Sequence, residues 1–135
     1  MKEQDRIIWG GWNKMGEVSL INNFEEYEGK FIQVCANDEL YLWFGEGKLL
    51  HGHIFNNLLN ALKITYNTFE ESFNGEKIKI PVSQGKDYTL IGAGKFKKID
   101  GKYFLSDRSW SYWVKPNKKH AKKMSKMTGL EFIIN

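Results

Sequence analysis

Apolar residues along this chain follow two periods, and each period marks a kind of element. Alternation dominates from Phe31 to Ala36 and from Glu39 to Phe44, with Asn37-Asp38 between. Both turn residues tolerate positive φ, so the segment is expected to form a tight β-hairpin. In that register Ile32, Val34, Tyr41 and Trp43 share one face, and Phe31, Cys35, Leu40, Leu42 and Phe44 the other. Both faces are largely apolar, which places the hairpin deep in the fold. A second hairpin is expected from Lys95–Ile99 and Lys102–Ser106 around Asp100-Gly101.

Helical spacing takes over at His53. Phe55, Leu58, Leu59, Leu62 and Tyr66 fall on one face, and Asn56, Asn57, Asn60, Lys63 and Asn67 on the other. This pattern predicts an amphipathic core helix over about residues 53–66. A second helix is expected over about 117–128, closed by Gly129 in the C′ position with Leu130 set for the capping contact. Further strands are expected at Lys77–Val82, Tyr88–Ile91 and Trp110–Val114, with a short one at Glu131–Ile134 rejoining the sheet. Pro81 lacks a donor and marks a sheet edge. Gly92 and Gly94 mark a bend or bulge between strands, and Asn22–Glu28 a short helix. With no repeat and no linker, residues 1–135 read as one α+β domain. Its mixed, mostly antiparallel sheet is built from hairpins.

Composition narrows the class. At 135 residues, 41% hydrophobic and 27% charged, the chain is globular rather than disordered. Its polar start, Met1 to Arg6, offers no secretory apolar stretch, and its longest apolar runs are too short for a bilayer. The lone Cys35 excludes an internal disulfide, and the expected compartment is a reducing cytoplasm. Of 20 basic residues only Arg6 and Arg108 are arginine. That bias, with plentiful Asn and Ile, points to an AT-rich bacterial or phage genome.

Charge is divided by position. Residues 1–75 carry 6 Lys+Arg against 11 Asp+Glu, and residues 76–135 carry 14 against 5, giving −5 and +9. Lysine bias alone can supply surface lysines but does not explain why they gather in one half, and the basic half is expected to meet a polyanion. Strand alternation turns Lys77, Lys79, Lys95, Lys97 and Lys102 to one side around Phe104, provided the strands share a sheet. Lys119, Lys122, Lys123 and Lys126 form a stripe on the last helix at i, i+3, i+4 and i+7. Between them lies Arg108-Ser109-Trp110-Ser111-Tyr112-Trp113. Aromatic rings beside cations hold single-stranded nucleic acid or nucleotides by stacking and phosphate contact. The expected function is therefore non-enzymatic binding of a phosphate-rich ligand by these lysines with Phe104, Arg108 and Trp110.

Two other classes compete. The acidic half, with Glu25, Glu26 and Glu28 and further carboxylates at Asp38, Glu39, Glu46, Glu70 and Glu71, suits a basic protein partner. Immunity-type and anti-defence inhibitors use such complementarity. A metal-independent ribonuclease would need His51, His53, His120, Lys119 and Arg108 to converge. His51 and His53 with His120 or Cys35 would make a thin metal site, and neither a CxxC nor an HExxH pattern accompanies them. Gly52 between the two histidines reads more simply as a turn into the helix. Gly92-Ala93-Gly94-Lys95 lacks the remaining positions of a phosphate-binding loop or a dinucleotide fingerprint. No cofactor or metal is expected.

Overall fold

The hairpin around Asn37-Asp38 forms the middle of the molecule. The computed structural model describes the backbone of residues 10–13 and 16–17, and residues 28–134 in full. Strands β1 (Gly10–Asn13) and β2 (Gly16–Glu17) precede the hairpin pair, β3 (Glu28–Ala36) and β4 (Glu39–Gly45). Both turn residues are left-handed, Asn37 at φ 50° and Asp38 at φ 63°. Helix α1 (His51–Ala61) follows, then β5 (Thr68–Phe73), β6 (Glu76–Pro81), β7 (Tyr88–Ile99), β8 (Lys102–Ser106), α2 (Lys118–Thr128) and β9 (Phe132–Ile134). Seven strands make one sheet in the order β2-β1-β4-β3-β7-β8-β9, antiparallel except for the parallel β8–β9 pair. Strands β5 and β6 form a separate two-stranded sheet. The fold is α+β.

Alternation along β3 and β4 sends successive side chains to two cores. On one face Ile32, Val34, Tyr41, Trp43, Tyr88 and Leu90 pack against Ile54, Phe55, Leu58 and Leu59 of α1. On the other, Phe31, Leu42, Phe44, Phe96, Tyr103 and Leu105 pack against Ala121 and Met124 of α2 and Phe132 of β9. Phe44 and Phe96 stack with centroids 4.1 Å apart. The sheet is thus enclosed by one helix on each face.

Several expectations are corrected. Helix α1 stops at Ala61 rather than running to Tyr66, because Lys63 takes φ 58°. Lys63 N donates to Asn60 O and Ile64 N to Leu59 O, the two bonds of a Schellman stop. Leu62, Ile64 and Tyr66 still pack on the α1-side core, but from extended chain, so helical spacing persisted without a helix. The strands expected at Tyr88–Ile91 and Lys95–Ile99 are one strand, β7. The bulge expected at the glycines is present as a register shift opposite Gln33/Val34, beside Gly92, but it lies within one strand rather than between two.

Gly92 is required here for space. A Cβ on it would lie 2.0 Å from Gln33 Oε1 and 2.9 Å from Asn117 N. Gly52 does not turn the chain, since it lies inside α1, where a Cβ would meet Ile80 of β6 at 2.5 Å. The segment Trp110–Val114 is a turn closed by Ser109 and Val114, with Trp113 at φ 56°. Most of the helix expected at Asn22–Glu28 lies outside the described residues, and Glu28 itself opens β3.

Candidate ligand-binding cleft

Strand register brings Lys30 of β3 directly opposite Lys95 of β7, on the face that α1 covers further along. Like charges paired across strands repel, and the loop after β8 supplies partial relief. Asp107 of that loop reaches Lys95 at 3.4 Å. Lys30 Nζ donates to Leu49 O at 2.5 Å, holding the side chain under the start of α1. Burial lowers the Lys30 pKa and Lys95 lowers it further, while Asp107 works the other way. These residues, with His51, Arg108 and Trp110, line a cleft of about 240 Å³.

The loop from Asp107 to Val114 is fixed at several points. Ser109 N donates to Val114 O at 2.9 Å, and Tyr112 N to Ser109 Oγ at 3.2 Å. The Tyr112 hydroxyl donates to Pro81 O at 2.6 Å and its ring packs edge-on to Phe55. This anchoring pushes the other rings outward, leaving Trp110 65% and Trp113 72% exposed. They meet edge to face at 5.4 Å, and the Arg108 guanidinium lies 5.3 Å from the Trp110 ring. Asp107 at φ 64° and Trp113 at φ 56° bracket the loop with left-handed backbone. That conformation costs a bulky L-residue about 1–2 kcal/mol.

The histidines serve the fold. His51 Nε2 donates to Gly94 O at 2.8 Å, and burial holds its pKa down at about 4. His53 Nδ1 accepts from Leu50 N at 3.1 Å, capping α1. On the opposite face of the sheet, Asn117 N donates to Gln33 Oε1 at 2.6 Å, which fixes the Gln33 amide. Gln33 Nε2 then donates to Asn117 O at 3.0 Å and to His120 Nδ1 at 3.2 Å. Burial depresses His120 to about 4 against an upward pull from the Tyr41 backbone. His51 and His53 therefore lie across the sheet from His120 and Lys119, and the ribonuclease constellation does not assemble. Among the described residues, no group of three or more His, Cys, Asp or Glu is placed to hold a metal ion.

The expected site residues fall into three groups. Lys95, Arg108 and Trp110 line the cleft, and Lys97 lines an adjoining hollow of about 470 Å³ that shares Lys95 and Gly47 with it. Phe104 pairs with Lys97, and Lys102 with Ile99, so both continue the same face. Lys77 and Lys79 do not join them. Their strand, β6, belongs to the small sheet, whose Ile80 packs on α1 while both lysines face solvent. Lys119, Lys122, Lys123 and Lys126 are exposed on α2, beyond the other face of the large sheet. The single basic face expected from sequence is thus divided.

Sequence reasoning missed Lys30, whose role depends on pairing with a strand 65 positions away. Of the acidic candidates, Glu25 and Glu26 lie outside the described residues, and exposed Glu28 approaches Lys97 at 4.0 Å. No helix among the described residues is long and apolar enough to cross a membrane. No family model matches the chain, and no curated protein and no solved structure matches it either.

Proposed function

We propose that this protein is a non-enzymatic binding protein for a phosphate-rich ligand, a nucleotide or single-stranded nucleic acid, acting in a reducing cytoplasm. The observation that carries the reading is the exposed pair Trp110 and Trp113, held on a fixed turn at the lip of a cleft lined by Lys30, Lys95 and Arg108. Folding gives no reason for a tryptophan at position 113. Glycine would relieve its left-handed backbone, and a polar side chain would suit its exposure. Strain of this kind marks sites that act on something outside the fold. Flat rings offer a stacking surface, and the cations beside them offer charge to phosphate.

Titration of tryptophan fluorescence at low salt tests the proposal. Nucleotides or short oligonucleotides should quench the emission, raised salt should weaken binding steeply, and Trp110→Ala should remove most of the response. If neither nucleotides nor oligonucleotides of any base bind at low salt, the reading fails.

A further inference from the structure

Resting on that reading, we infer that the ligand is a single strand lying along β7, rather than a free nucleotide or a duplex. The cleft beside Trp110 does not end at Lys95. It continues into the hollow beside Lys97, and the two share Lys95 and Gly47. Lys95 and Lys97 are two apart on one strand face, and Lys102 is paired with Ile99, two further on. Positive side chains therefore recur at about 6.6 Å per step, Lys95 and Lys97 along the trough and Lys102 on the same sheet face beyond it, since each residue of a strand advances about 3.3 Å.

An extended single strand places one phosphate per comparable stride and leaves its bases free to turn aside. A duplex keeps its bases paired and stacked inward, so they cannot turn onto the exposed Trp110 and Trp113 rings. A lone nucleotide would occupy the Trp110 end and leave the rest of the row unused. Aromatic surface accompanies the row, with Trp110 and Trp113 at its Lys95 end and the half-buried Phe104 beside Lys97 at its middle.

Each lysine of the row has a carboxylate partner in the free protein. Asp107 lies 3.4 Å from Lys95, Glu28 lies 4.0 Å from Lys97, and Glu131 lies 3.6 Å from Lys102. All three pairs are exposed and of the weak surface kind. Phosphates arriving in the trough replace these carboxylates, and the lysines need only swing to meet them.

The test compares thymidine monophosphate, oligothymidylates of increasing length, a duplex and polyglutamate at low salt. Affinity should rise with oligomer length until about four nucleotides are bound, the span of the row plus the tryptophan end. Lys97→Gln should lower the log–log salt slope for the oligomer by about 1 and leave thymidine monophosphate unaffected. Trp110→Ala should weaken both, by between about fivefold and a hundredfold. Monophosphate binding as tight as the longest oligomer, or a Lys97 variant with an unchanged slope, overturns the inference while leaving the nucleotide reading standing. Equal binding of the duplex also overturns it. Binding of polyglutamate in preference to every nucleotide ligand, or no binding at all, overturns the inference and the functional reading together.

Discussion

Two positive surfaces lie on opposite sides of the large sheet, and their surroundings distinguish them more than their charge. On α2, Lys119, Lys122, Lys123 and Lys126 stand exposed on the outer side of a helix. The inner side of that helix is held by the Gln33, Asn117 and His120 network, with Ala121 and Met124 in the core. Those lysines repel one another by a few tenths of a kcal/mol per pair, a cost that water largely screens. On the α1 side, Lys30 is half-buried, Lys95 is set against it, and Arg108 lies over a tryptophan on a strained turn. There the repulsion is built into a concavity. A convex stripe of lysines is solvated, whereas cations converging in a cleft gain from an anion that replaces their lost water.

The network under α2 is the first place to break the comparison. Gly92→Ala would drive a methyl group into the Gln33 amide and the Asn117 backbone. It should destabilise the protein by about 3 kcal/mol or more, read from urea unfolding, since overpacking of this kind cannot be absorbed by a flexible chain end. The same variant should leave the geometry of the α1-side cleft in place wherever the protein remains folded.

Acid should act next, through both faces. His51 and His120 are held near pKa 4 by burial, below the ordinary 6.5. The unfolded chain therefore binds more protons than the folded one between those values. Stability is full above about pH 6.5 and falls as pH drops toward 4, by up to about 3 kcal/mol per histidine. Urea midpoints that stay level over this range would contradict the buried, neutral assignment of both rings.

A smaller effect separates the two roles at one residue. Trp113→Gly should stabilise the fold by up to about 1 kcal/mol by relieving its left-handed backbone. It should at the same time weaken oligonucleotide binding. A loss of stability without a change in binding would make Trp113 a packing residue.

Local chemistry was legible in the sequence, and long-range pairing was not. Asn37-Asp38 and Asp100-Gly101 identified two hairpins, and Asn117 and Gly129 bracketed α2 because caps are read from adjacent residues. The end of α1 was missed because Lys63, an unusual residue for the left-handed stop, took the place of glycine or asparagine. The β5–β6 hairpin turns at Asn74-Gly75, with φ 53° and 81°, a turn signal at the charge boundary whose preceding strand, β5, the alternation did not reveal. Recognising it would have removed Lys77 and Lys79 from the large sheet. Of the cleft, Lys95, Arg108 and Trp110 were visible as a basic and aromatic cluster. Lys30 was not, because nothing near it in sequence shows which strand will lie beside it.

The most direct measurement sets one surface against the other. Oligothymidylate affinity would be followed across a salt series for two variants, Lys95→Gln with Arg108→Gln, and Lys119, Lys122, Lys123 and Lys126 all changed to Gln. The cleft variant should lose about 2 from the log–log salt slope and most of its affinity at low salt, one unit for each phosphate contact removed. The helix variant should keep its slope and bind nearly as the parent does. A helix variant that loses binding while the cleft variant retains it would place the ligand on the wrong side of the sheet and contradict the account.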